Sequence, residues 1–341
     1  MKVHVPPVTR TDLENAALPT LGVTVGLLLA QLPVFHPVAG FLVVVMQCMM
    51  SVRVKGTPTQ RLQMLAYVWL ILIGTVAWGI VGAWHMVNAA VGVILLSLAL
   101  TYWRHFFPDD WRNINAPASA IYFFTLALKP GLTALYGVAL CGLVGIALQA
   151  IMWKAWPSAF APQSALVRLK SRRVRKRKLP VDLELVTNLK TDLWRYNLRL
   201  TILLIISIFI VNRVHAMHAY WIPLTVIIVL QDNHADTLKR VGGRILGTFI
   251  GCIIGSAILT LHPQPVISMP LLILCLFTFL LIVKHNYPVA CIFLTVYIVL
   301  LIGRSSTNSF VVAFERTAYT LMGGLLVLMS SWLLFWRRKK A

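Results

Sequence analysis

Acidic side chains are what this chain most lacks. Asp and Glu number 10 in 341 residues, against 31 Lys and Arg. Charged residues are 12% of the whole and hydrophobic ones 59%, with a mean hydropathy of +0.80. Soluble domains carry roughly a quarter of their residues charged, so this composition cannot build a water-compatible surface. The ten acids are Asp12, Glu14, Asp109, Asp110, Asp182, Glu184, Asp192, Asp232, Asp236 and Glu315. None sits at the centre of an apolar run, where a proton-coupled carrier usually holds its carboxylate.

Other absences narrow the class further. The five cysteines (Cys48, Cys141, Cys252, Cys275, Cys291) form no C-x-x-C pair, which excludes a thiolate metal site and a disulfide framework and leaves buried thiols. No phosphate-binding or dinucleotide glycine motif occurs, so this chain alone is not an ATP-driven pump. No H-E-x-x-H, G-x-S-x-G or other catalytic constellation stands out; the chain reads as a non-enzyme with no cofactor and no metal. No segment alternates like a membrane β-strand.

What is present is a series of apolar blocks near the ~20 residues that cross a bilayer. The fold class is therefore all-α, a polytopic membrane protein. Twelve transmembrane helices are expected at about 14–32, 34–52, 62–83, 85–102, 113–128, 131–153, 198–214, 217–231, 243–261, 266–284, 287–303 and 317–336. They divide into a first transmembrane half (1–153), a basic linker (154–199) and a second half (200–341). The first block follows Lys2 and Arg10 and leads straight into further spans, so it reads as an anchor and not as a cleaved signal. With both termini cytoplasmic, every one of the 31 basic residues except Lys129, Arg213, Arg304 and Arg316 falls on the cytoplasmic side, the bias that orients inner-membrane proteins.

The halves look like repeats. Gln47 ends the second block as Gln231 ends the eighth, and Thr133-Ala134 opens the sixth as Thr317-Ala318 opens the twelfth, at the same offset. Six spans per half make the repeats parallel, about an axis along the membrane normal. In the linker, residues 168–178 read R-L-K-S-R-R-V-R-K-R-K. The run is either a topology determinant or a contact for anionic membrane lipid; without interleaved aromatics it is no nucleic-acid site. Residues 182–199 place Leu185, Leu189 and Leu193 on one face of an amphipathic helix.

Three patterns carry candidate function. Gly243, Gly247, Gly251 and Gly255 recur every four residues, a helix-packing face in membranes or else a sliding surface; Gly22, Gly26 and Ala30, and Thr133, Gly137, Cys141 and Gly145, repeat it. Asp232, Asp236, Arg240 and Arg244 follow one another at the same spacing in a polar connector between the eighth and ninth spans. Cations there either anchor the cytoplasmic face or bind a carboxylate-bearing solute through the planar guanidinium fork. Glu315 and Arg316 open the last span, where adjacency suggests a local ion pair. Pro223 is either a helix break of the kind transporters use or a first-turn proline. His36, His85, His215, His218 and His262 read as interfacial.

The stretch W-I-P-L-T-V-I-I-V-L-Q from Trp221, followed by Thr237, Arg240, Arg244, Gly247 and Thr248 as T-x-x-R-x-x-x-R-x-x-G-T, resembles the fusaric acid resistance protein-like family, which includes the aromatic acid exporters. Glu315, Arg316, Thr317, Thr320 and Gly323, as E-R-T-x-x-T-x-x-G, are similar to its later signature. The resemblance covers the second half well and the first weakly: the connector from Arg53 to Arg61 lacks R-x-x-x-R. It implies efflux of organic anions or aromatic, amphipathic toxic compounds across a bacterial inner membrane; with no ATPase motif in the chain, the proton gradient is the expected drive. It also implies pairing with a periplasmic adaptor protein; a substantial cytoplasmic domain, common between the halves of larger members, is absent. Arg240 and Arg244 are then the expected anion-binding residues, with Lys239 assisting and Arg61 and Lys55 as first-half counterparts. Glu315, Arg316, Asp232 and Asp236 are the gating or coupling candidates. The family's similarity to dimeric plant anion channels leaves a homo-oligomeric channel as an alternative, and a non-transporting scaffold of an envelope assembly as another.

Overall fold

The computed structural model describes residues 9–52, 57–106, 111–156, 191–214, 216, 218–231, 233–261, 264–303 and 309–336. Twelve α-helices occupy them: α1 (Arg10–Leu29), α2 (Ala39–Ser51, after a short 3-10 turn His36–Val38), α3 (Pro58–Gly82), α4 (Met86–Phe106), α5 (Trp111–Leu128), α6 (Leu132–Ala155), α7 (Thr191–Val214), α8 (Trp221–Val229), α9 (His234–Thr260), α10 (Pro265–Ile282), α11 (Tyr287–Gly303) and α12 (Ser309–Trp336). The described residues contain no strand. By length and composition α3, α6, α7, α9, α10 and α12 can each cross a bilayer, and α2, α4, α5 and α11 are shorter apolar helices. A backbone in lipid must satisfy its own hydrogen bonds, which is why apolar blocks of this kind fold as helices.

Polar residues at the block edges start the helices. Thr9 and Asp12 exchange side chain-to-backbone bonds at the head of α1, and Thr57 and Gln60 do the same at α3, where Pro58 follows the cap. Each cap satisfies N–H groups that have no partner inside the helix. Asn233 caps α9 by accepting from the Ala235 N–H. The charged segment expected as a connector therefore belongs to α9: Asp236, Lys239 and Arg240 lie in its first two turns and Arg244 is ten residues in. The connector itself shrinks to the few residues after Val229. Asp232, like Lys55, lies outside the described residues, as do the basic run 168–178 and the first part of the amphipathic segment. Residues 191–199 of that segment are continuous with the seventh span in α7, so they form no separate surface helix.

The eighth span departs most from expectation. α8 has nine residues, about 14 Å at 1.5 Å per residue, under half of a ~30 Å hydrocarbon core. Residues 218–220 ahead of it turn without forming a helix, although Ala219, Tyr220 and Trp221 are buried. Within a membrane, irregular backbone is tolerated only inside protein or along a cavity. Pro223 sits in the first turn of α8, where its missing N–H would have no helical partner in any case. The half-length of α8, not the proline, makes the break.

Glycine sets the closest helix contacts. A Cβ placed on Gly247 would lie 2.5 Å from the Cys291 Cβ and 2.6 Å from the Pro288 carbonyl oxygen; one on Gly251 would lie 2.7 Å from the Ile292 oxygen. Gly243 meets Pro288 and Gly255 meets Val299. Each four-residue step on α9 thus advances about one turn along α11, and the two helices run parallel in close contact. In the first half Gly22 and Gly26 of α1 meet the Met46 and Leu42 carbonyls of α2, in the antiparallel sense. Several pairings recur six helices later: α1 with α2 and α7 with α8, α3 with α5 and α9 with α11, α2 with α6 and α8 with α12, α3 with α6 and α9 with α12. Between halves, α1 packs on α10, α4 on α7 and α5 on α8.

Candidate functional site: a polar seam with two buried arginines

Three helices of the second half each turn a polar stripe inward at i, i+4 spacing, so the groups stack on one face. On α9 the stripe is Arg240, Arg244, Thr248, Cys252; on α11 it is Tyr287, Cys291, Thr295; on α12 it is Arg316, Thr320. At the head of the seam the half-buried Arg240 lies over the Tyr287 ring, 5.0 Å from its centroid. Lys239 and Asp236 are exposed nearby. One turn deeper Arg244 is 2% exposed; one Nη donates weakly to Cys291 Sγ at 3.8 Å and its Nε has no partner.

Arg316 is 1% exposed. Its guanidinium lies 3.8 Å from the Trp221 ring centroid, a cation–π contact worth about 2 kcal/mol when desolvated. None of its three nitrogens has a hydrogen-bond partner among the described residues. Arg316 and Arg244 are within interaction range of each other and of the Cys252 thiol. A buried guanidinium normally has a carboxylate; here two share one seam and no described carboxylate faces them.

The expected Glu315–Arg316 ion pair is not formed. Glu315 turns away and its Oε2 lies 2.6 Å from Nδ1 of His218, in the turn ahead of α8. Neighbouring residues on a helix point about 100° apart, so they rarely face each other. Tyr220 stands between the two arrangements, within reach of both Arg316 and Glu315.

The threonines sort in the same way. A threonine in a helix usually donates to the carbonyl one turn back, and Thr20, Thr75, Thr101, Thr125, Thr225 and Thr317 do so. Thr248, Thr295 and Thr320 do not: each is at most 1% exposed and each hydroxyl is unpartnered. All three lie on the seam.

A cavity of about 570 Å³ approaches from the end where α3 turns into α4 and where α5 and α7 finish. His85, Lys129, Asn212, Tyr220 and Pro223 are among its lining residues. Tyr220 packs edge-on against Phe124 of α5, with centroids 4.8 Å apart, and tilts against Trp221. The Trp221 ring in turn carries Arg316.

Arg61 does not join this arrangement. It lies over Trp153 of α6, 5.5 Å from the ring centroid. Arg240 and Arg244, singled out from their spacing, do fall on the seam, and so does Arg316. The spacing argument missed Cys252 and Cys291, read only as buried thiols, and gave no role to Trp221 or Thr295. Thr248 and Thr320 were visible as motif positions; Arg-x-x-x-Thr occurs in both signatures and is the pattern that finds them.

These helices define a multi-pass helical membrane protein. Residues 205–330 match the family described as fusaric acid resistance protein-like, which bears out the resemblance read from Trp221 onward. The chain is 32% identical over 134 residues to the inner membrane protein YccS of Escherichia coli, covering 39% of this chain and 18% of that protein. It is 28% identical over 134 residues to an uncharacterized protein of Haemophilus influenzae, covering 39% and 19% respectively. An uncharacterized protein of Neisseria gonorrhoeae is 29% identical over 109 residues, 32% of this chain and 26% of that one. The chain thus spans about a fifth of the length of most of these curated relatives. No solved structure matches.

Proposed function

We propose that the protein exports organic anions, or aromatic and amphipathic toxic compounds, across a bacterial inner membrane, drawing on the proton gradient. The observation that carries this reading is the pair of guanidiniums buried in the seam with no carboxylate facing them among the described residues. Unpaired intramembrane cations are costly and mark solute pathways. Lys239 and Arg240 offer an anion its first contact at the head of the seam, and Arg244 the next. His218 and Glu315 form the titratable pair nearest the far end, where protonation can be coupled to passage. The match to a resistance family supports the direction and the class of solute. Two related halves, supported by the recurring helix pairings, and an adaptor protein at the periplasmic side belong to the same proposal.

A dimeric anion channel is the second reading. It draws on the same cations and on the lack of a described carboxylate facing them. Reconstitution into liposomes separates the two. Export predicts that an imposed pH gradient drives uphill accumulation of an aromatic carboxylate, and that Arg244→Gln lowers the rate at least tenfold while Arg61→Gln leaves it within about twofold. Loss of a buried partner for a charged ligand group costs about 2–5 kcal/mol, ample for that factor. Passive currents that follow voltage, with no uphill movement, sink the exporter.

A further inference from the structure

We infer that Arg244 and Arg316 form one binding site for a solute head group carrying two negative charges, completed by the hydroxyls of Thr248, Thr295 and Thr320. This rests on the reading of the seam as an anion path, and it moves Arg316 from a gating residue to a binding one. The argument is charge balance. Both guanidiniums are almost wholly buried, and each unpaired ion away from water costs several kcal/mol. Like charges on two packed helices also repel each other. The described acidic groups on neighbouring elements do not compensate them: Glu315 is engaged with His218 and Asp236 is exposed at the head of α9. A monoanion would leave one cation uncompensated; a dianion neutralises both.

The donor set fits an oxyanion. Arg316 has three free nitrogens and Arg244 one, and the three threonine hydroxyls are free to donate. Guanidinium forks suit planar carboxylates and tetrahedral phosphoryl or sulfonyl oxygens alike. The ring of Trp221 already carries Arg316 on its face, which holds that guanidinium in place without neutralising it.

Phenylphosphonate and its monomethyl ester test this, since they share a skeleton and at mildly alkaline pH carry two charges and one. Binding is measured by calorimetry on the full chain in nanodiscs of neutral phosphatidylcholine. The dianion should bind one per protein and at least tenfold more tightly than the ester. Arg316→Gln should reduce that ratio to near one, and Arg316→Lys, which keeps the charge, should retain most of it. Arg244→Gln provides an independent arm if the Arg316 variants do not fold. Equal affinities in the unmodified protein, two esters bound per chain, or a ratio unchanged by either glutamine variant overturns the site. Selective binding without flux would instead leave the site standing and sink the export reading.

Discussion

The seam of α3, α5 and α6 and the seam of α9, α11 and α12 are built from corresponding helix pairings and filled with opposite chemistry. In the first, Leu65, Val68, Leu72 and Val76 of α3 meet Ile114, Ala118 and Ile121 of α5 and Ala134, Val138 and Cys141 of α6, all buried in one apolar cluster. Three of its buried polar side chains find partners: Thr75 and Thr125 donate to their own helices, and Gln149 donates to the carbonyls of Met49 and Val52 where α2 ends. In the second, the Arg316 guanidinium, the Arg244 Nε and the hydroxyls of Thr248, Tyr287, Thr295 and Thr320 are buried without a hydrogen-bond partner among the described residues. Helices in lipid associate through packing, since the surrounding tails are already apolar. The first seam is sufficient for that. The second gives up stability, and groups that oppose stability in a packed interior usually serve a site.

The largest effects should therefore have opposite signs in the two seams. Leu72→Ala removes a fully buried side chain and leaves a void; the expected loss is about 2 kcal/mol, the low end for such changes, because lipid supplies no transfer term. Arg316→Met replaces an unpaired ion with an apolar chain of similar length. Exchanges of buried ionic groups for apolar ones have stabilised proteins by about 1–4 kcal/mol, and a rise in melting temperature is expected in ligand-free protein. A drop on Arg316→Met would make that guanidinium a structural group and erase the contrast.

Close contact, in contrast, is a property both halves share. Gly247→Ala would force Pro288 backbone and Cys291 apart, at about 1–3 kcal/mol, since its Cβ would stand 2.6 Å from a carbonyl oxygen. Gly22→Ala should cost a similar amount, with the Met46 oxygen at 2.5 Å. Gly242, with open space beside it, is the control: alanine there should stabilise the helix by up to about 1 kcal/mol. Unfolding followed by tryptophan emission in detergent ranks the three. If Gly247→Ala is as mild as Gly242→Ala, the α9–α11 face is loose enough to slide.

The two seams also differ in how much of them the sequence reveals. Apolar blocks are legible because bilayer thickness dictates their length, and the glycine stripe because a four-residue period has one geometric meaning. Arg244 is legible by the same period. The role of Arg316 is hidden by its neighbour: chain adjacency to Glu315 suggests an ion pair, while helix geometry sends the two side chains to different partners. The break ahead of α8 is hidden too, because A-Y-W-I-P-L is as apolar in a turn as in a helix. Which threonines fail to back-bond depends on the helices opposite, and no local pattern encodes that.

Those threonines supply the finest test of the contrast. Thr125→Val in the first seam removes a hydroxyl that donates to Ile121 of its own helix and should cost no more than about 0.6 kcal/mol, the average for side-chain bonds between membrane helices. Thr320→Val in the second removes a hydroxyl with no acceptor and keeps the shape, so it relieves a desolvated donor instead of breaking a bond. Its expected effect is neutral to slightly stabilising, accompanied by weaker binding of the doubly charged phosphonate. The two melting curves, measured side by side, should shift in opposite directions or at least not together. Equal losses would mean that Thr320 has a partner within the folded bundle, and the polar seam would then be ordinary packing in which hydroxyls replace methyl groups.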